Sequence, residues 1–154
     1  MTDIVDPETR SRMMAAIRGK NTRPERVIRS ALHRSGFRFR LHDRRLPGTP
    51  DLILPRYRTV IFVHGCFWHR HAGCYYTTAP ASRKSFWDEK FASNIARDHR
   101  HQQELLALNW RVLVVWECGV RHQPEAVLDR LTTLLLQESS GICEIPKSPP
   151  RSRV

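Results

Sequence analysis

The chain predicts an α/β fold, a mixed β-sheet flanked by helices. Two apolar segments at helical spacing come first. Three short β-type segments then follow one another across brief turns. A long helix, one more strand and a last helix close the order. The 154 residues suit a single domain, at roughly 150 residues per domain.

Each element has its own signal. Asp6-Pro7 is an N-cap followed by proline at the first helical position, and Met13, Met14 and Ile17 make an apolar patch on an arginine-rich helix. Thr22-Arg-Pro-Glu25 is a capping box, Val27, Ile28, Ala31 and Leu32 follow at helical spacing, and Gly36 is placed to end that helix. Phe37 to Leu41 alternates strictly, as a strand does. Leu46 to Pro50 is turn chemistry. Asp51 to Leu54 is a short strand, Pro55 to Arg58 a turn, and Thr59 to Val63 a buried β-branched strand, which together predict an antiparallel meander. Residues 64–83 are irregular. A helix runs from Lys84 to Asn109 with Phe91, Ile95, Leu105 and Leu106 on one face. Arg111 to Trp116 is a central strand. Pro124 opens a helix with a stripe of Val127, Leu128, Leu131, Leu134 and Leu135. Residues 1–138 are expected to form one domain. Residues 139–154, rich in Ser, Pro, Lys and Arg, are expected to be a basic, flexible tail with Cys143 as a bystander.

Lysine and arginine number 26 against 15 acids, a net charge of +11. A compact chain this basic is drawn to polyanions, and nucleic acid is the default partner. No apolar run approaches the roughly 18 residues that span a bilayer. Met1 to Pro7 lacks the basic and apolar regions of a secretory signal, so the expected compartment is the cytosol. There, four cysteines are metal ligands or free thiols rather than disulfides.

The densest chemistry is Cys66-Phe-Trp-His69-Arg-His71-Ala-Gly-Cys74. Thiols and imidazoles at this spacing suit a four-coordinate zinc ion. Cys118, just after the strand ending at Trp116, supplies a further ligand. The favoured set is Cys66, His71, Cys74 and Cys118, a closed and therefore structural site. The competing view is buried free cysteines beside surface histidines. His64 and His69 are left over, and a histidine titrating near neutrality can take a proton from water. Asp51 opens a strand, where aspartate is disfavoured, and a carboxylate there is either a magnesium ligand or a turn residue. Glu25 is a second carboxylate, though the capping box already accounts for it. Phe67-Trp68 and Phe86-Trp87 are either wedges between base pairs or a satellite core around the zinc. Met14 and Ile17 carry the same ambiguity.

Leu46-Pro-Gly-Thr-Pro-Asp51, then Val60-Ile-Phe-Val-His-Gly-Cys-Phe-Trp-His-Arg-His71, then Phe86-Trp-Asp-Glu-Lys-Phe91, Asn94 to Asp98, and Trp110 to Cys118 resemble, in the same order, the very short patch repair (Vsr) DNA mismatch endonucleases. The likeness runs from about Thr9 to Cys118. It implies a restriction-endonuclease-like core with a structural zinc and a catalytic magnesium. The implied activity is a single-strand cut beside the thymine of a T·G mismatch left by deamination of 5-methylcytosine. By this resemblance Asp51 is the main magnesium ligand, the Val63 backbone carbonyl is a second, and Glu25 acts through metal-bound water. Val63 stands where members can carry threonine, a departure that matters little if only the carbonyl binds. His69 becomes the general base, Asp98 orients it, and His64 stands near the scissile phosphate. The zinc ligands are the set chosen above. Ala72 and Gly73 put two residues between the second and third ligands where some members have one. Phe67, Trp68 and Trp87 match the intercalating wedge, Met14 and Ile17 a first helix that enters the minor groove, and Asn94 joins the DNA-contacting set. The implied partners are mismatched double-stranded DNA, the general mismatch-repair proteins and a cytosine-5 methyltransferase. The implied setting is a monomer in the bacterial cytosol, at the nucleoid. Two rivals remain: a non-enzymatic zinc-braced DNA-binding module, and a related nuclease acting on other DNA.

Overall fold

The structure, a computed structural model, describes residues 21–148. The expected first helix, with Met14 and Ile17, lies outside the described residues. Helix α1 (Arg23–Arg34) starts as its sequence asks: the Thr22 hydroxyl accepts from the Glu25 N–H at 3.4 Å, with proline in the first turn. Strands β1 (Arg40–Leu41), β2 (Leu52–Leu54) and β3 (Thr59–His64) form the predicted antiparallel meander. A helical turn, α2 (Cys66–His69), leads through the loop to the long helix α3 (Lys84–Ala107). Then come β4 (Arg111–Trp116), the short α4 (Glu117–His122), α5 (Pro124–Leu136) and β5 (Ile142–Ile145). The five strands lie in chain order, with β4 parallel to both β3 and β5.

Alternation along β4 divides the core into two layers. Leu113 and Val115 meet Ile28 and Leu32 of α1 and Leu131 and Leu135 of α5. Val112, Val114 and Trp116 face the other way, with Leu105 of α3 and the cysteines of the loop. The cysteine and histidine cluster therefore gathers on the α3 side of the sheet.

Three expectations are corrected. The alternating run from Phe37 pairs only at Arg40–Leu41, because its partner β2 is three residues long. Phe37 is buried in the core against Tyr57, with ring centroids 5.5 Å apart. Ile95 is not in the buried face of α3 but half exposed at 50%. The middle of that helix borders a cleft, which Asn94 and Asp98 line, rather than the sheet. Finally, Ile142–Ile145 belongs to the sheet and not to a loose tail. Ile145 is buried opposite Val115, and Cys143 packs against the core. Arg111 helps to seat this stretch. Its buried guanidinium donates to the Leu134 and Gln137 carbonyls, the Ser139 hydroxyl and the Thr59 hydroxyl. Among the described residues no helix is long and apolar enough to cross a membrane.

Candidate active site

The carboxyl ends of β3 and β4, the loop before β2, the start of α1 and the middle of α3 enclose a cleft of about 380 Å³. Glu25, Asp51, Val63, His64, Trp68, His69, Asn94 and Asp98 line it, so the sequence's catalytic candidates do meet. Gly48 (φ 75°) lets the far wall close. A Cβ there would stand 3.0 Å from the His101 side chain of α3.

Asp51 is the most constrained acid. Its Oδ2 accepts the Val63 N–H at 2.7 Å, which fixes the side chain to the neighbouring strand. Burial pushes its carboxyl up to about 6, against the pull of that N–H, and the charge of Glu25 adds to the push. Glu25 is 2% exposed, and its carboxylate is engaged by His42: Nε2 of His42 lies 2.5 Å from Oε1. The other side of the capping box is thus replaced by a contact across the fold. His42 Nε2 also stands 3.9 Å from Asp51 Oδ1. Glu25, His42 and Asp51 together bring their ligand atoms within 4.8 Å of one another. Hard oxygen donors on a desolvated acid pair suit a divalent cation, which would offset their repulsion.

His69 Nδ1 sits 2.6 Å from Asp98 Oδ2. Burial opposes ionisation of Asp98, but the hydrogen bond and charge of His69, with His64 and Arg97, outweigh it and hold the carboxyl below its ordinary value. An ionised Asp98 accepts, so the imidazole donates from Nδ1 and its lone pair is left on Nε2. The His64 ring lies flat on that of His69, centroids 3.8 Å apart and planes within 5°. Burial, together with His69, pushes His64 down to about 3, although Asp98 pulls the other way. His64 is therefore neutral at physiological pH.

Cys66, His71, Cys74 and Cys118 form a second centre, all four buried, with ligand atoms within 4.8 Å of one another. His71 Nδ1 is 3.7 Å from Cys66 Sγ and 3.4 Å from Cys118 Sγ. Sulfur and nitrogen sharing a tetrahedral zinc stand about 3.6 Å apart, so these residues fit that ion. The Cys118 N–H points at Cys66 Sγ, 3.4 Å away. The contact with Cys118 and burial push the Cys66 thiol up, and burial does the same to Cys74. A bound cation would reverse both. His69 stays out of this cluster, as the spacing had suggested.

The aromatic residues pack on one another at the cleft's rim. Phe91 is buried beneath them. Trp87 stacks on it at 5.5 Å, and Phe67 meets it edge-on at 5.2 Å. Phe67, Trp68 and Trp87 are only half-buried. The Arg70 guanidinium lies 3.8 Å over Phe91. The cluster is both a satellite core and a part-exposed apolar edge. Asn94 is buried, and its Nδ2 donates to the Trp68 carbonyl at 3.1 Å. Sequence reasoning missed His42, Phe91 as the floor of the aromatic cluster, and Arg97 on the cleft wall.

The chain also has known relatives. The family model described as "DNA mismatch endonuclease Vsr" matches residues 2–75. The chain is 53% identical over 118 residues to "Type II nicking enzyme V.XorIIP" of Xanthomonas oryzae pv. oryzae, covering 77% of this chain and 86% of that protein. It is 46% identical over 138 residues to "DNA mismatch endonuclease Vsr" of Escherichia coli, covering 90% and 87%. It is 42% identical over 123 residues to "Type II nicking enzyme V.NmeAIP" of Neisseria meningitidis serogroup A, covering 80% and 87%. Identity of this order, spread over most of both partners, leaves one assignment: the chain belongs to the Vsr family of DNA mismatch endonucleases.

Proposed function

We propose that this endonuclease nicks one strand of duplex DNA beside the thymine of a T·G mismatch arising from deaminated 5-methylcytosine, and so starts very short patch repair. The observation that carries this is the meeting, in one cleft, of a desolvated carboxylate pair, an Asp98-oriented imidazole and a part-exposed aromatic edge.

The roles are those the family resemblance implies, and the contacts of Asp51, His69 and Asp98 support them. Asp51, the Val63 carbonyl and, through water, Glu25 hold magnesium. When bound, that ion stabilises charge growing on the phosphoryl and leaving oxygens. His69 takes the proton of the attacking water at Nε2, and Asp98 keeps the ring in the tautomer that leaves this atom bare. Neutral His64 stands beside the scissile phosphate and packs against the base without repelling its imidazolium. Phe67, Trp68 and Trp87 enter the stack at the mismatch, which unstacks more readily than a matched pair. Asn94 holds the Trp68 backbone and, from the cleft wall, joins the DNA-contacting set. Met14 and Ile17, in residues 1–20, approach from the minor groove. Cys66, His71, Cys74 and Cys118 hold structural zinc, which braces the turn that carries Trp68 and His69.

On this account the core is of the restriction-endonuclease kind, one active site serves a monomer, and the work is done in the bacterial cytosol at the nucleoid. A cytosine-5 methyltransferase and the general mismatch-repair proteins are its working partners. Three relatives named as nicking or mismatch enzymes support the reading, as does the +11 charge.

The test is strand-specific nicking of a labelled duplex with one T·G mismatch, with and without magnesium, beside a T·A control and Asp51→Ala. The expected result is one magnesium-dependent cut next to the mismatched thymine, absent from both controls. Tight binding without a cut, in zinc-replete protein and across several flanking sequences, would favour a DNA-binding module. Equal cutting of the T·A duplex would favour a nuclease of other DNA.

A further inference from the structure

The carboxylate pair proposed to hold magnesium has an imidazole in its midst. His42 comes from the residue after β1, and the β1–β2 register carries it opposite Asp51. Its N–H donates to the Asp51 carbonyl at 3.3 Å, just beyond the Leu41–Leu52 pair. Its backbone is left-handed (φ 47°), a conformation uncommon outside glycine, and this aims the ring across to α1. There Nε2 meets Glu25 Oε1 at 2.5 Å and faces Asp51 Oδ1 at 3.9 Å. Two donors at about 2.1 Å from one octahedral ion stand roughly 3 Å apart when adjacent and roughly 4.2 Å apart when opposite. The 3.9 Å separation from Asp51 lies within those limits, nearer the opposite arrangement. The Glu25 contact is shorter, a hydrogen bond that a cation would open.

We propose that His42 is a nitrogen ligand of the divalent cation assigned above to Asp51, so that this site takes manganese-type ions more tightly than magnesium. The proposal rests on the Asp51 metal reading and deepens it. Magnesium favours an all-oxygen octahedron and gains little from imidazole. Manganese and the later divalent metals accept mixed nitrogen and oxygen donors, with affinity rising along the series. Ligation uses a bare Nε2 on a ring that keeps its one proton on Nδ1, so the proton lying between Nε2 and Glu25 goes to solvent as the ion enters. Arg29 lies 3.7 Å from the same Glu25 oxygen and keeps that carboxylate compensated when the imidazole turns to the ion.

The test uses the full-length, zinc-loaded protein, freed of other divalent ions and titrated with Mn²⁺. Pulsed electron paramagnetic resonance reads whether a nitrogen nucleus couples to the bound ion. Bound manganese is expected to show that coupling. His42→Asn is expected to remove it and to weaken Mn²⁺ about tenfold more than Mg²⁺. Asparagine suits a left-handed backbone and is too short to reach. Retained zinc and unchanged circular dichroism report its folding, and His42→Gln is expected to behave in the same way. Manganese that binds in an Asp51-dependent manner, with nitrogen coupling absent or untouched by both substitutions, overturns the role of His42 and leaves the Asp51 reading in place. Manganese binding unchanged by Asp51→Asn overturns both.

Discussion

His71 and Trp116 lie face to face, ring centroids 4.2 Å apart and planes within 6°. The other edge of Trp116 meets His64 at 5.3 Å, and His64 stacks on His69. Four rings thus join a histidine of the proposed zinc site to the imidazole proposed as the base. Trp116 Nε1 is buried with no hydrogen-bond partner among the described residues, so stacking rather than polar contact fixes the indole.

Zinc and catalysis are therefore expected to fail together. Cys118→Ser, or stripping zinc with a chelator, should destabilise the fold by on the order of several kcal/mol and abolish nicking in the same titration. Zinc stoichiometry, thermal melting and cleavage measured on one set of samples check this. Full nicking by zinc-free protein would uncouple the two centres.

His69→Ala should lower single-turnover nicking by about 10²- to 10⁴-fold while leaving DNA affinity in place. Asp98→Asn should fall between that variant and the parent, because asparagine still touches Nδ1 but no longer enforces the tautomer. Quench-flow cleavage beside gel-shift affinity separates rate from binding. Parental rates in His69→Ala would remove it as the base.

Asp51 gives a pH prediction with a definite sign. In the metal-free site the folded carboxyl holds its proton up to about pH 6, whereas the unfolded chain releases it near the ordinary value of 3.8. Between those values the folded state binds more protons. Stability then falls as pH rises through the window, by roughly 3 kcal/mol in all. Asp51→Asn should thus be the more stable protein at pH 8, with the gain shrinking towards pH 4. Urea melts of zinc-loaded, magnesium-free protein at both ends would show it. A constant difference would mean that burial does not govern this acid.

The aromatic cluster divides into floor and edge. Phe91→Ala, at the buried floor, should cost about 3 kcal/mol. Trp68→Ala, half-buried at the rim, should cost less stability than the floor substitution and erase the preference for T·G over T·A. Competition binding with both duplexes distinguishes the two effects.

Arg111→Met strands several buried acceptors at once and should destabilise by about 3 kcal/mol. Amide exchange should quicken first along Ile142–Ile145, whose seat it holds. Unaltered exchange there would show that β5 stands without it.

Much of this was legible in the chain. The Thr22 cap of α1, the meander and the Cys66, His71 and Cys74 cluster are local signals, and each lies where its spacing says, while Cys118 joins them through the β3–β4 pairing. Three things were hidden. Two of these have a common cause, that pairing partners are not written beside one another. His42 becomes a neighbour of Asp51 only through the β1–β2 register, one step past Leu41 and Leu52. The Ile142–Ile145 strand sits in a Ser- and Pro-rich stretch whose composition reads as a tail, and only its fit against β4 makes it a strand. Ile95 fails for a different reason. Apolar periodicity presumes that the whole face of a helix meets a core, and the middle of α3 borders a cleft instead.

β3 and β4 end level with each other, His64 beside Trp116 in the parallel register. Any side chain driven into a double helix is pushed back as hard as it pushes. Delivered to the Phe67–Trp68 turn, as proposed, that recoil would run within a few residues into the tip of β3 and, through its pairing, into β4. With the roles proposed above, the prying edge and the hydrolytic groups share one abutment. Under load they are expected to shift as a unit, and the aim of the cut to survive the effort of opening the duplex.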